Sequence, residues 1–260
     1  MKKETIFDKV FLVVTLFFLV SLTACTFQPK ESKPRLSLFI GVDASGSFQS
    51  SDSYENALAF LAYYIYGHLN ELEGLSKPRA LYVGSIGGRS MGEPKAFHPI
   101  HDFDGKSIEE IEEDLRTWFS PRDTLTDFNA FFEEVARISK DRNLILGPIN
   151  VMVVSDGIPD VASNGTRAGS KTLYENIDLS PMEYLSRSLT VRLAYASPKV
   201  GDQWRKYVPR KRVRFMVVNA EVMKGWQQQI QPELGISEQN RLWKWVKDNV
   251  DYRVRSRRAA

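Results

Sequence analysis

The run Leu36-Ser37-Leu38-Phe39-Ile40-Gly41-Val42 is apolar at nearly every position. A strand with one wet face alternates apolar and polar residues, whereas one covered on both faces reads as a continuous apolar run. Residues 36–42 therefore predict a strand inside a parallel sheet. Residues 150–155, 189–196 and 212–218 predict further strands, as does 80–86, with 96–100 a short edge strand. Helical spacing fills the intervals. Ser50 to Ser53 offer capping groups for 54–69, where Ala57, Phe60, Leu61, Tyr64 and Ile65 share a face. Ser107 caps a helix aligning Ile108, Ile111, Leu115 and Trp118. Another begins near Asp127 and carries Phe128, Phe131, Phe132, Val135 and Ile138, and a last one runs from Ser237 to Asn249. Residues 160–180, rich in Ser, Asn, Gly and Thr, and 198–211, with Pro198 and Pro209, predict loops. Strands alternating with helices predict an α/β fold: a Rossmann-like open, mainly parallel sheet flanked by helices, in a single domain over 36–250.

The N-terminus follows a different pattern. Lys2, Lys3 and Lys9 precede an apolar run over residues 10–20, and small residues lead to Leu22-Thr23-Ala24-Cys25. This is the layout of a secretory signal peptide over 1–24. The tetrapeptide resembles the lipobox of bacterial lipoproteins, which implies cleavage before Cys25 and an acyl (palmitate-type) lipid on its thiol. The alternative is an uncleaved membrane anchor with an incidental cysteine. Either places the rest of the chain in the cell envelope, facing the periplasm or exterior. Thr26 after the cysteine implies the outer membrane under the sorting rule of enteric bacteria. Residues 25–35 then form the lipidated cysteine and a polar tether, and 251–260 a basic tail.

Composition narrows the function classes. Across 260 residues, 43% hydrophobic and 26% charged are ordinary globular values, which excludes a disordered or polytopic membrane chain. Lys+Arg of 35 against Asp+Glu of 32 leaves a net charge of +3, too small to identify a nucleic-acid binder, and no nucleic acid is expected. Cys25 is the single cysteine, so an intrachain disulfide and a Cys-rich zinc site are excluded.

The candidate chemistry lies at strand ends. Asp43-Ala44-Ser45-Gly46-Ser47 follows the first strand directly. If the segment leaves the sheet extended, Asp43, Ser45 and Ser47 point to one side, with Gly46 permitting the tight path. One carboxylate and two hydroxyls suit a hard cation. Ser155-Asp156-Gly157 ends another buried strand and adds a carboxylate. Leu125-Thr126-Asp127 adds a hydroxyl at a helix start. In an open α/β sheet, loops at the strands' carboxyl ends meet in one crevice.

Asp-x-Ser-x-Ser, then Thr-Asp opening a helix, then an apolar strand ending in Ser-Asp-Gly, resembles the von Willebrand factor A domain. The resemblance spans roughly Leu36 to Asn249. It implies a metal-ion-dependent adhesion site in which Ser45, Ser47 and Thr126 give hydroxyl oxygens to the ion and Asp43 and Asp156 bind it directly or through water. Mg²⁺ is the implied ion, with Mn²⁺ or Ca²⁺ as alternatives, and an acidic residue from a protein partner completes the coordination. The family's usual small pair before Thr-Asp is replaced by Asp123-Thr124-Leu125, which makes Thr124 the fallback for Thr126. The resemblance implies a binding module rather than an enzyme. Two other readings stand beside it: a metal-dependent hydrolase, for which Asp127 and Asp160 are the nearest bases, and an architectural lipoprotein with no metal. His98-Pro99-Ile100-His101 reads as a loop or edge strand, because Pro99 argues against helical i, i+3 ligand geometry. The basic stretches Arg205–Arg214 and Arg253–Arg258 read as solvated edges.

Overall fold

The computed structural model describes residues 35–88, 92–93, 95–119, 125–159, 167–186 and 188–252, all within one compact unit, Pro34–Ala260. Residues 1–24, expected to be a signal peptide, and Cys25, Thr124, Asp160 and Arg253–Arg258 lie outside the described residues.

β1 (Leu36–Val42) leads into a one-turn helix α1 (Gly46–Gln49) and a long helix α2 (Ser53–Leu69). Next come β2 (Pro78–Ser85), the two-residue β3 (Gly87–Gly88) and β4 (Phe97–Pro99), followed by α3 (Ile108–Trp118), β5 (Leu125–Thr126) and α4 (Phe128–Asp141). β6 (Ile149–Val154), α5 (Lys171–Glu175), β7 (Leu189–Ala194), α6 (Pro198–Tyr207), β8 (Arg214–Val218), α7 (Ala220–Met223) and α8 (Asn240–Asn249) complete the order. The main sheet runs β4-β2-β1-β6-β7-β8 and is parallel except for the antiparallel edge strand β4. This is the open, mainly parallel α/β architecture that the alternation of elements predicts.

Every residue of β1, β6 and β7 is buried, and β1 and β6 accordingly carry no polar alternation, whereas β7 buries Thr190 and Arg192 between its apolar residues. Leu38, Ile40 and Val42 of β1 pack with Phe60, Tyr64, Leu115 and Trp243, from α2, α3 and α8. Phe39 points to the other face, among Phe131, Phe132, Val135 and Trp204 from α4 and α6. Gly41 shares that face: a Cβ there would lie 2.6 Å from the Phe131 ring, so the glycine makes room for the aromatic side chain.

Two segments predicted as loops contain helix. Residues 198–207 form α6, because Pro198 sits in its first turn, where no backbone donor is needed, and Ser197 Oγ accepts from Val200 N at 3.3 Å. The basic stretch that follows is partly structural. The Arg210 guanidinium donates to the carbonyls of Trp204, Arg205 and Val208 and closes the end of α6. Within 160–180 the described part holds α5, whose Leu173 and Tyr174 are buried. Residues past the last helix also belong to the fold. Asp251 is buried 3.8 Å from the buried Arg192, whose Nη2 donates to Tyr252 O at 3.0 Å. Among the described residues, no helix is long and apolar enough to cross a membrane.

β2 and β6 flank β1 on opposite sides, so the direction of chain progression across the sheet reverses between β1 and β6. Such a switch point opens a crevice at the carboxyl ends of its two strands.

Candidate metal centre

Asp43 and Asp156 leave the sheet at that crevice. Val42 lies opposite Val154 in the parallel ladder, and Asp43 N–H donates to Val154 O at 2.9 Å. Asp43 is 0% exposed. Its Oδ1 accepts from Ser45 N at 3.0 Å, and its Oδ2 accepts from the Ser155 hydroxyl. Ser155 Oγ in turn accepts from Gly157 N at 2.8 Å, so one buried hydroxyl ties the two strand exits together. The Asp156 carboxylate accepts from Ile158 N at 2.9 Å. Gly157 has φ +75°, and a Cβ there would lie 2.8 Å from Leu193. Its carbonyl accepts from Trp204 Nε1 at 2.7 Å, which clamps this turn to α6.

Ser45 and Ser47 come together by a route other than the extended path expected. After Ser45 the chain turns into α1, so Ser45 occupies the helix N-cap and Ser47 lies within the turn. Their hydroxyl oxygens are 3.4 Å apart, Ser45 buried and Ser47 exposed. Gly46 does not supply a left-handed conformation, and a Cβ there would meet open space. The turn is held from below by Phe48, whose ring packs edge-on against Tyr195 at 6.1 Å. Tyr195 has φ +74°, rare for a non-glycine residue, and its hydroxyl donates to Asn56 Oδ1 at 2.9 Å. The sequence pattern contains no signal for this support.

Thr126 arrives on the small β3–β5 ladder, opposite Gly87. Ile86 N donates to Val42 O at 2.9 Å, and Asp127 N donates to Ile86 O at 3.1 Å, so two backbone hydrogen bonds link the Thr126 segment to the end of β1. The buried Lys95 reinforces the ladder by donating from Nζ to Gly87 O at 2.7 Å. Asp127 caps α4: its Oδ1 accepts from Ala130 N at 3.0 Å and its Oδ2 from Gly92 N at 2.9 Å. The segments of all five sequence-predicted residues, Asp43, Ser45, Ser47, Thr126 and Asp156, thus reach the carboxyl end of the sheet centre. Ser155 is the contributor the sequence reading named only as part of a turn. Its partner Asp43 is 112 positions away, so only the fold reveals the bond.

Burial pushes the Asp43 carboxyl up to about 6. The hydrogen bonds from Ser155 and Ser45 oppose that shift, and the charge of nearby Asp156 adds to it. Tyr174 is pushed up to about 12, first by burial and then by Asp156. A buried carboxyl whose proton affinity a neighbouring carboxylate raises, beside neutral hydroxyls, makes a site that a cation would stabilise. The donor set fits a hard divalent ion. The 3.4 Å Ser45–Ser47 separation lies at the upper end of the roughly 3–3.4 Å that separates neighbouring oxygen ligands on a hard divalent ion between about 2.1 and 2.4 Å from each. Among the described residues no group of three or more His, Cys, Asp and Glu side chains could hold a metal ion, so an ion here would need hydroxyl oxygens as well. His98 is not aimed at a metal. It stacks on Trp118 with ring centroids 3.6 Å apart and lies 3.4 Å from Asp102.

No family model matches the chain, and no curated protein matches its sequence. Solved structures with a similar backbone include proximal thread matrix protein 1 from the mussel byssus. It is 13% identical, with a TM-score of 0.41, over 81% of this chain and 47% of that one. Manganese-loaded TRAP protein of Plasmodium vivax is 18% identical, with a TM-score of 0.42, over 69% of this chain and 67% of that one. The SpRpn10 VWA domain is 7% identical, with a TM-score of 0.42, over 78% of this chain and 92% of that one. The chain thus spans about half the length of the mussel protein it resembles.

Proposed function

We propose that the chain is a lipid-anchored cell-envelope protein of the von Willebrand factor A type, which binds a protein partner through a divalent cation. Asp43, Ser45, Ser47, Thr126 and Asp156 would hold the ion, Mg²⁺ or in its place Mn²⁺ or Ca²⁺, and Cys25 would carry the lipid. The observation that supports this reading is the meeting of the Asp43 and Asp156 exits at the switch point, with Ser155 bridging them.

When bound, the ion supplies a Lewis-acidic position that attracts a partner's carboxylate. The chain's own residues do the rest. Ser155 and Ser45 orient Asp43, and α1 presents the Ser47 hydroxyl at the surface. The Gly157–Trp204 bond fixes the Asp156 turn. A charge-assisted contact of this kind gives orientation as well as affinity. The hydrolase reading is less well supported, because both Asp127 oxygens are engaged in capping and in the Gly92 contact.

Calorimetric melting of the full-length chain in detergent, with and without Mg²⁺ or Mn²⁺, tests the site. At metal a hundredfold above Kd, stabilisation of about 2.7 kcal/mol is expected. For a domain of this size that is about 5–10 °C in Tm. Asp43→Ala and Ser47→Ala should abolish it. An identical melt with and without metal sinks the proposal and favours the architectural reading, while metal-dependent turnover of ester substrates favours the hydrolase. Detergent-phase partitioning that is lost in Cys25→Ala tests the anchor.

A further inference from the structure

The pole opposite the candidate metal centre carries an unusual surface. Five large apolar side chains stand exposed among the described residues, and three of them sit together there: Ile145 at 38%, Leu146 at 83% and Tyr184 at 76%. The loop after α4 and the loop before β7 are joined, because Leu146 N donates to Leu185 O at 3.1 Å and the Ser186 hydroxyl donates to Gly147 O at 2.5 Å. Leu146 has φ +75°. A left-handed leucine costs about 1–3 kcal/mol, so Gly or Asn would serve better if the loop only had to connect α4 to β6.

The apolar tips are set among cations. The Arg212 guanidinium lies over the Tyr184 ring at 5.6 Å, Arg79 donates to Asn143 O at 2.9 Å, and Arg142 ends α4 on the same loop. The nearby acids are paired with a cation or buried. Asp141 and Glu134 share Arg137, at 2.6 Å and 2.5 Å, and Glu183 is 7% exposed and accepts from Lys211 N at 2.8 Å. Glu71 and Glu73, also at this end of the sheet, follow α2 on the other face. The described chain begins at Arg35, whose carbonyl oxygen lies 2.8 Å from where a Cβ on Gly147 would stand. The covalent link to residues 1–34, with the apolar run 10–20 and Cys25, therefore enters the fold at this patch.

We infer that this pole is a membrane-contacting surface. Leu146, Ile145 and Tyr184 enter the headgroup and acyl boundary, and Arg142 and Arg212 meet anionic headgroups. The inference rests on the proposed membrane anchorage and is independent of the metal. Its consequence is orientation. Contact at the strand amino ends holds the Asp43 crevice at the far end of the sheet, about 20 Å further from the lipid for a seven-residue strand. The cations and the tether's point of entry favour a bilayer over a protein partner as the occupant.

The test uses the full-length chain in phosphatidylcholine vesicles with and without phosphatidylglycerol. A nitroxide is placed at Leu146→Cys or, as a control at the metal pole, at Lys199→Cys, and accessibility to oxygen and to a water-soluble nickel chelate is read by power saturation. The expected result is an oxygen-accessible, nickel-protected label at position 146 on anionic vesicles and a water-exposed one at 199. Charge reversal in Arg142→Glu with Arg212→Glu should lose the protection. Unlabelled Leu146→Asn should melt higher, and hydrogen exchange should show it losing the vesicle protection of residues 143–147 seen for the unaltered chain. Cosedimentation with vesicles, and labelling of Cys25 in the unaltered chain, report separately on anchorage. A chain that cosediments while its 146 label stays water-exposed on both vesicles overturns the inference and leaves anchorage standing. A chain that sediments with neither overturns both. Protection at 146 only when a second protein is bound assigns the patch to a protein partner and refutes the membrane reading.

Discussion

Asp43 places a large electrostatic term at one side chain, and titration isolates it. The carboxyl moves from 3.8 in the unfolded reference to about 6 in the fold, with burial the largest cause. A shift of about two units corresponds to about 3 kcal/mol at 1.36 kcal/mol per unit. The sign follows from linkage. The folded state holds this proton more tightly, so the contribution is present below pH 3.8 and is lost as pH rises through about 6. Asp43→Asn cannot titrate there. The variant keeps a single side-chain oxygen and so loses an acceptor for either Ser45 N or Ser155 Oγ, but that offset does not vary with pH. The informative quantity is therefore the difference between wild-type and variant unfolding free energies, measured by urea denaturation in chelator at steps from acid to neutral pH. It should fall by about 3 kcal/mol across the window, to the detriment of the wild type. Saturating Mg²⁺ should restore most of it at neutral pH in the wild type and none in the variant. A flat difference curve would show that Asp43 titrates normally, and the electrostatic case for a cation at this position would fail.

Three further outcomes follow from the same contacts. Ser155→Ala removes the hydroxyl that favours ionised Asp43, so it should cost about 1–3 kcal/mol and move the pH-dependent step to higher pH. Gly157→Ala forces a Cβ against Leu193 at φ +75°; a loss of about 1–3 kcal/mol in denaturant, together with weakened metal stabilisation, is expected, and an unchanged midpoint would refute the clamp. Asp251→Ala leaves the buried Arg192 without its carboxylate and should lower stability by about 3–5 kcal/mol, whereas truncation after 250 with no loss would show that the C-terminal contact is idle.

Much of the fold was legible because burial on two faces leaves a plain mark: β1 and β6 have no polar alternation to explain. Asp43, Ser45, Ser47 and Asp156 lie within a few positions of those strands, so the sequence pattern places them at one end of the sheet, whereas Thr126 arrives on β5. The misreadings have local physical causes. Pro198 looked like a helix breaker, yet in the first turn its missing donor costs nothing. Arg210 looked like surface charge, and its partners are three carbonyls of a helix end that the sequence did not reveal. Ser45 and Ser47 were paired through an assumed extended path, whereas a helical turn performs the same juxtaposition. Ser155 and Tyr195 act across more than a hundred residues of chain, a separation over which spacing carries no information.

The places where the chain breaks its own local rules are informative together. A sequence that specifies one fold satisfies propensity, burial and charge at most positions, and departures concentrate where something besides stability is selected. Here a carboxylate is fully buried within reach of another carboxylate's charge, and a tyrosine in left-handed conformation props the turn beside it. At the far end of the same strands a left-handed leucine stands in solvent among arginines. Packing explains neither pole. A cation would satisfy the first and a lipid surface the second, and the sheet's polarity sets the two apart. Under the proposed anchorage, one departure at each end of a rigid sheet would hold the binding end clear of the membrane.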